Sequence, residues 1–402
     1  MSENQPREFD AVLGGSTSPI FTSAVLGGIE GVKQRLQSKN VDARFDALWD
    51  ALNYGEAGLY LIAQRLHDSS QKVYRYAELL LRERGGEKGK QALVDYNPWK
   101  YITRINKNWQ IQKYNPEKGI VFPFGKAYVI TNKIQFQALI QDSLVKGVEA
   151  LKFEIVEHNL YRRKHLEEFF QDILEASYLF PNLKGLFIGS PSDRYNHVYL
   201  PNIYPILKAF PYLEFLQLRG NADNDNFFKS NLEILEIRNS INGSFVKTQP
   251  LELSNLKTLI IQLENLSSDN FAKICNMNLP ALEYFELYPG VNLEINDIIP
   301  IFFNKQFTNL IYLGINQYAE TVIENINKSP LKESLRILNL SRSGLIDIEN
   351  IDLSESSILN RLHTLNVSHN GLRSRMVDEL SKLKCRIIGH SQDLEFYDIC
   401  IE

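Results

Sequence analysis

One spacing of hydrophobic residues recurs nine times between residues 148 and 367. Each copy reads apolar-x-x-apolar-x-apolar, and the first positions are Val148, Leu183, Leu213, Leu232, Leu256, Leu282, Leu310, Leu335 and Leu362. The alternation at the end of each copy is typical of a short strand with one buried side. Copies at intervals of 19 to 35 residues predict a repeat solenoid, in which each strand pairs in parallel with the next over one continuous core.

The segments between the strands predict helical returns in several repeats. Apolar residues recur at helical spacing over 166–174, with acidic and amide residues between them. Residues 298–303, 322–326 and 376–383 have the same character, whereas the 19-residue step between Leu213 and Leu232 leaves little room for a helix. Residues 385–388 predict a closing strand. We therefore expect an α/β solenoid of about nine to ten repeats over residues 148–402.

Three copies continue beyond the shared spacing. The copy that begins at Leu362 runs on to Asn370, and those that begin at Leu213 and Leu335 extend in the same way, with Ser343 in place of Asn in the latter. These copies approach the consensus L-x-x-L-x-L-x-x-N/C-x-L. Residues 148–402 therefore resemble the leucine-rich-repeat family, and they are nearer to its helix-backed, ribonuclease-inhibitor-like members than to its extracellular ones.

The first 96 residues have a different pattern. Apolar residues at helical spacing mark helices over 29–36, 43–52, 59–66 and 73–80, and Leu-Gly-Gly occurs twice near the start. Short paired helices of this kind resemble HEAT repeats. The motifs at 51–55 and 79–84 are also similar to a bacterial N-terminal HEAT-like module. This resemblance implies an attachment or adaptor module and brings no catalytic residues with it.

Residues 97–147 separate these two regions and carry an excess of positive charge. They contain 8 Lys and Arg against 2 Asp and Glu, together with 8 aromatic residues. Alternation around 109–114 and 121–130, with a turn-forming stretch between them, predicts a β-hairpin. We expect this basic aromatic segment to cap the end of the repeat core. The alternative is a nucleic-acid site, because aromatic side chains can stack on bases and cations can neutralise phosphates.

Side chains between the apolar positions of each strand point to the opposite face of the sheet. In a leucine-rich repeat this is the concave face, where a partner binds, and Tyr, Arg and Phe are typical of protein-binding surfaces. The candidate binding residues are Phe187, Phe215, Arg219, Glu236, Arg238, Gln262, Tyr284, Glu286, Tyr288, Tyr312 and Asn316. For Phe187 and Phe215 the alternative is that they pack on one another or on the loop of the first repeat.

Composition narrows the class of protein. The chain is 44% hydrophobic, with a net charge of −4, which is typical of a folded soluble protein. Three widely spaced cysteines favour free thiols in a reducing compartment. The first residues lack a signal peptide and no apolar run could cross a bilayer. We therefore expect a cytoplasmic protein without a membrane partner.

Candidate chemistry is weak throughout the sequence. The glycine-rich stretch 85–91 lacks the four-residue spacing and the Ser or Thr of a phosphate loop, so a helix-ending turn is the better interpretation. No hydrolase, paired-cysteine or zinc-binding spacing is present. The sequence therefore predicts a non-enzymatic protein, with no cofactor and no metal, that binds a protein partner. The alternatives are nucleic-acid binding through 97–147 and an enzyme whose site is assembled from dispersed residues.

Overall fold

The computed structural model describes residues 28–105, 109–154, 163–189, 199–222, 231–240, 253–263, 266–290, 293–345 and 356–389. The chain divides into two compact units between Tyr101 and Ile102. The sequence places its boundaries at 96/97 and 147/148. The structure instead groups 97–101 with the N-terminal helices and the rest of the basic aromatic segment with the sheet.

The described part of the first unit is helical. Its helices are α1 Gly28–Leu36, α2 Val41–Ala51, α3 Gly55–Gln64, α4 Gln71–Arg84, α5 Gly86–Tyr96 and α6 Pro98–Ile105, the last of which crosses the boundary. The four helices predicted over 29–36, 43–52, 59–66 and 73–80 are confirmed. Their apolar faces meet in a core of their own, with Leu48, Ile62, Val73 and Leu81 fully buried.

An ion pair ties α2 to the turn before α4. The Nε and Nη2 atoms of Arg44 each donate to the carboxylate of Asp68 at 3.0 Å, and its Nη1 donates to the carbonyl oxygen of Ser38 at 2.7 Å. Burial opposes ionisation of Asp68, but the hydrogen bonds from Arg44 and from the Ser70 N–H outweigh it and lower the pKa of this carboxyl. The carboxylate therefore holds the turn before α4 against α2.

The glycine-rich stretch 85–91 covers the junction of α4 and α5: Gly85 separates the two helices, and residues 86–91 are the first part of α5. A Cβ atom at Gly89 would lie 2.2 Å from the carbonyl oxygen of Leu81, and one at Gly85 would lie 2.4 Å from the same atom. The two glycines let the helices approach more closely than any side chain would allow. Helix packing therefore accounts for these glycines.

The second unit contains one long parallel sheet and, in the described residues, a two-stranded sheet. The strands are β1 Gln110–Lys113, β2 Lys126–Ile130, β3 Ala150–Glu154, β4 Gly185–Gly189, β5 Tyr199–Leu200, β6 Phe215–Arg219, β7 Asn221–Ala222, β8 Ile234–Ser240, β9 Thr258–Leu263, β10 Tyr284–Tyr288, β11 Tyr312–Ile315, β12 Ile337–Asn339, β13 Thr364–Asn366 and β14 Arg386–Ile388. Strands β5 and β7 pair separately, and the other 12 follow one another in chain order. This is an open α/β solenoid, as the sequence predicts.

All nine repeat copies fall on strands of the long sheet, and the closing strand predicted at 385–388 is β14. The predicted β-hairpin is wrong. Strands β1 and β2 are parallel, with Gln110 opposite Lys126, and they are the first two strands of the solenoid. Alternation reveals a strand but not its direction, and here the intervening chain is long enough to cross back over the core. Tyr114 and Tyr128 are buried at the start of that core.

Helices cover the core side of the sheet in several repeats. They are α7 Lys133–Ile140, α8 Arg163–Glu175, α9 Tyr204–Ala209, α10 Ser268–Cys275, α11 Ile299–Phe303, α12 Ala319–Ile326 and α13 Ser374–Ser381. The helical returns predicted from 166–174, 298–303, 322–326 and 376–383 are confirmed. None of the described helices has the length and apolar character that crossing a membrane requires.

Asparagine side chains join successive repeats along their turns. Asn370 is buried: its Oδ1 accepts from the N–H groups of Ser343 and Leu345 at 2.8 and 3.2 Å, and its Nδ2 donates to the carbonyl oxygens of Leu340 and Val367 at 2.7 and 3.0 Å. One side chain thus satisfies four main-chain groups in two neighbouring repeats.

A second set of asparagines joins repeats at the start of their strands. Asn182, Asn231 and Asn309 each stand one residue before the first leucine of a repeat copy. Each donates to a main-chain carbonyl of the preceding repeat, at 2.8, 3.0 and 2.8 Å respectively. These exposed bonds recur at equivalent positions, so they help to hold the repeats in register.

Candidate functional site: the open face of the sheet

The open face is the side of the long sheet that points away from the core. Its register places the alternate residues of successive strands in rows across the sheet. The central row consists of Phe187, Gln217, Glu236, Ile260, Glu286, Gly314, Asn339 and Asn366. This is the face that the sequence predicts to be concave. The candidate residues on β4, β6 and β8 to β11 all occupy it, and Asn316 directly follows β11.

The first part of the open face is covered by Trp109. Its ring packs edge-on against Phe187 and Phe215, with centroids 6.3 and 5.8 Å away, while those two rings lie 4.5 Å apart. A Cβ at Gly185 would lie 2.7 Å from the Trp109 ring and 3.1 Å from the Cβ of Ala150. The small residues Gly185 and Ala150 therefore leave room for the indole ring. Phe187 and Phe215 pack on one another, which is the alternative that the sequence offers for these two residues.

The next strands carry a polar cluster. Gln217 donates to Glu236 Oε2 at 2.6 Å, and the Nε of Arg238 donates to the same oxygen at 3.3 Å. All three side chains are partly exposed. Two donors hold one carboxylate, so the three side chains are ordered in the unbound protein.

The third cluster is centred on the carboxylate of Glu286. The hydroxyl of Tyr284 donates to Oε2 at 2.7 Å, and the hydroxyls of Tyr288 and Tyr312 donate to Oε1 at 2.5 and 3.3 Å. Asn339 donates in turn to the hydroxyl of Tyr312 at 2.8 Å. The rings of Tyr284 and Tyr312 stack at 4.0 Å, nearly parallel.

Burial sets the acid–base behaviour of this cluster. Glu286 is 8% exposed and Tyr312 is 3% exposed. Burial, followed by the neighbouring Glu286 carboxylate, raises the pKa of Tyr284, Tyr288 and Tyr312 well above that of a free tyrosine. The phenols remain protonated at neutral pH, so they act as hydrogen-bond donors and not as bases.

Gly314 makes this arrangement possible. It stands between Glu286 and Asn339 in the central row. A Cβ there would lie 3.1 Å from the ring of Tyr312 and 3.2 Å from the Cγ of Glu286. Without a side chain at 314, Tyr312 can lie across its own strand and reach the carboxylate on the strand before.

The remaining candidates lie along the row beside the central one. Arg219 is opposite Arg238, Gln262 follows them, and Tyr288 completes the row. Asn316 lies beyond the end of β11, and its buried Oδ1 has no hydrogen-bond partner among the described residues. The structure thus places the candidates of β4 to β11 on one face: eight belong to the three clusters, Arg219 and Gln262 lie beside them, and Asn316 follows the end of β11.

Two of the three tyrosines on the open face are buried. The sequence pattern treats Tyr284, Tyr288 and Tyr312 as exposed contact residues, but Tyr288 and Tyr312 are buried and their hydroxyl groups are committed to Glu286. Tyr284 remains partly exposed. Tyr288 and Tyr312 therefore stabilise the folded sheet through their hydrogen bonds to Glu286, and their side chains are buried.

Sequence reasoning overlooked two residues of this face, Trp109 and Gly314. Its place in the basic aromatic segment predicts that Trp109 caps the end of the core, whereas its ring packs on the open face of the sheet. A glycine at an open-face position of a strand, as at Gly185 and Gly314, is the feature of the sequence that could have indicated these two residues. Glycine within a strand often marks a place where another group packs closely against the backbone.

Across the described ranges, no group of three or more His, Cys, Asp or Glu side chains is placed to hold a metal ion. The open face carries ordered hydrogen-bonding groups, and the rings of Phe187 and Tyr284 are partly exposed on it.

No protein-family model matches the chain, and no curated protein matches its sequence. Among solved structures, the chain is similar to a Bacteroides fragilis protein whose crystal structure was a structural-genomics target. The two are 19% identical, with a TM-score of 0.47, and the match covers 78% of this chain and 84% of that chain.

Proposed function

We propose that the chain is a non-enzymatic interaction protein that recognises a protein partner on the open face. The observation that carries the proposal is the ordered polar cluster of Gln217, Glu236 and Arg238. It lies between the Trp109 cluster and the tyrosine cluster, both of which are packed in place. Such a surface combines fixed charge with aromatic edges at low entropic cost.

We further propose that the solenoid is a leucine-rich repeat. The bonds of Asn370 support this, because the residue occupies the consensus Asn position and satisfies the turns of two repeats. The paired helices α1 to α5 support a HEAT-like module that attaches the chain to a second protein. The two described cysteines, Cys275 and Cys385, are free thiols, which favours a reducing, cytoplasmic location.

The proposal is tested with the partly exposed residues of the open face. The double variant Phe187→Ala, Arg238→Ala removes an aromatic edge and a charge, and the matched control Tyr178→Ala, Tyr212→Ala removes two exposed rings from the turns. Affinity capture from native lysate, quantified by mass spectrometry, should lose its specific partner proteins with the first variant and keep them with the second.

Removal of one or two such anchors should weaken binding of the identified partner at least about tenfold. Equal capture by both variants would show that the partner binds elsewhere. Circular dichroism of each variant establishes that a loss of capture does not result from unfolding.

A further inference from the structure

Strand β1 is an edge of the long sheet. It pairs with β2 on one side, and no other strand of the described chain lies along its outer side. The N–H groups of Gln110 and Tyr114 donate to Gly125 and Val129 at 3.0 and 3.1 Å. Main-chain groups alternate between the two sides of a strand. The main-chain N–H and C=O groups of Ile111 and Lys113 therefore point away from β2. On that outer side they can form hydrogen bonds with another strand.

Exposed apolar side chains concentrate beside this edge. Six of the 15 large exposed hydrophobic residues of the described chain fall between residues 111 and 144. Ile111 is 52% exposed, Phe122 is 62% exposed and Phe124 is 67% exposed. Exposed apolar residues concentrated in one short segment are typical of an interaction site, whereas singly scattered residues such as Phe303 are not.

The loop 121–125 is held in place although the rings of Phe122 and Phe124 are exposed. The buried Tyr128 hydroxyl donates to the carbonyl oxygen of Phe122 at 2.8 Å and accepts from its N–H at 3.3 Å. The Nζ of Lys126 lies 5.2 Å from the centre of the Phe122 ring and is hydrogen-bonded to Gln112 of β1. The loop and the edge strand therefore form one surface.

The charge beside this surface is positive. Lys113, Lys118 and Lys126 lie on β1, in the turn after it and on β2, within a segment that holds 8 Lys and Arg against 2 Asp and Glu, Glu117 and Asp142. A third carboxylate, that of Glu149, accepts from the N–H of Gly125 in the loop at 2.9 Å, so the excess of lysine comes from the segment as a whole. Asp142 is turned inward, because its carboxylate accepts from the N–H groups of Ile120 and Leu144. The charge that complements this edge is negative.

We propose that β1 and the loop 121–125 bind an extended acidic segment of a partner protein, which adds to the sheet as a further edge strand. Strand addition uses the outward main-chain groups of β1, and apolar side chains of the partner segment would contact Phe122 and Phe124. A second copy of this edge would bring like charges together. A nucleic acid could contact the lysines and stack on the aromatic rings, but it would not form the strand-to-strand hydrogen bonds with the outward main-chain groups of β1.

The test selects random displayed peptides against the full-length protein and measures the affinity of the selected peptides by fluorescence polarisation. Selection should enrich peptides with net negative charge and alternating apolar residues. Their affinity should fall at least about tenfold for Phe122→Ser, Phe124→Ser, and should be unchanged for the matched control Phe303→Ser, which is 45% exposed on α11.

A second variant, Ile111→Pro, removes one outward N–H and should weaken the same peptides, while circular dichroism confirms folding. Failure to enrich acidic peptides, or equal binding by the double serine variant, would overturn the proposal. Two further outcomes would also overturn it: binding of an oligothymidine probe that is lost in the serine variant, and a dimer in sedimentation that Ile111→Pro dissociates.

Discussion

At the scale of single residues, the open face is organised by one buried carboxylate. Glu286 accepts three tyrosine hydroxyls, and this is possible because Gly314 leaves room for Tyr312 above its own strand. A buried carboxylate that lost its donors would carry a large desolvation cost. The tyrosines are therefore required for stability whether or not a partner touches them.

We predict that Tyr288→Phe lowers the free energy of unfolding by about 1.5–3 kcal/mol at neutral pH, because it removes a hydrogen bond to a charged group. The exposed Tyr212→Phe should change it by less than about 0.5 kcal/mol. Urea unfolding monitored by circular dichroism measures both. Equal effects of the two substitutions would contradict the network.

The raised pKa values also predict an alkaline effect. A tyrosine whose pKa is higher in the folded than in the unfolded protein stabilises fully below about pH 10, and this contribution is lost as the pH rises. For each such tyrosine, stability should fall by about 1.4 kcal/mol per pH unit above that point. Tyr288→Phe should reduce the slope accordingly, and an unchanged slope would show that Tyr288 titrates normally.

At the scale of elements, the repeats are joined by asparagines as well as by strand pairing. The buried Asn370 satisfies main-chain groups in two turns, whereas the exposed Asn309 makes one bond to the preceding repeat. Unsatisfied buried groups cost more than lost exposed bonds, so the two kinds of asparagine should differ in their effect on stability.

We predict that Asn370→Ala lowers the free energy of unfolding by about 2–4 kcal/mol and that Asn309→Ala lowers it by about 0.5–1 kcal/mol. Chemical denaturation of the two variants beside the unmodified protein provides the comparison. A loss for Asn370→Ala no greater than that for Asn309→Ala would mean that water replaces the buried side chain.

At the scale of the whole molecule, the small net charge of −4 conceals regions of different character. Residues 97–147 have an excess of positive charge, and residues 148–402 carry 24 Lys and Arg against 33 Asp and Glu. The two units also have separate cores. The proposed edge site and the proposed open-face site therefore lie in regions of opposite net charge, which favours different partners.

Stability should vary along the solenoid. Each strand contacts only its neighbours, so β1 and β14 have one neighbour while β9, β10 and β11 are flanked on both sides. Hydrogen exchange measured by mass spectrometry should show the fastest exchange at the two ends of the long sheet and the slowest in its middle. Equal protection of all its strands would indicate that the sheet opens as one unit.

The sequence alone determined the α/β solenoid, its nine central strands, most of its described helices and most of the residues on the open face. These follow from periodicity, since alternate residues of a strand must face opposite sides. The direction of β1, the burial of Tyr288 and Tyr312, and the position of Trp109 were decided only by tertiary structure. They depend on which side chains meet across the sheet, as at Gly185 and Gly314, and periodicity along one strand does not contain that information.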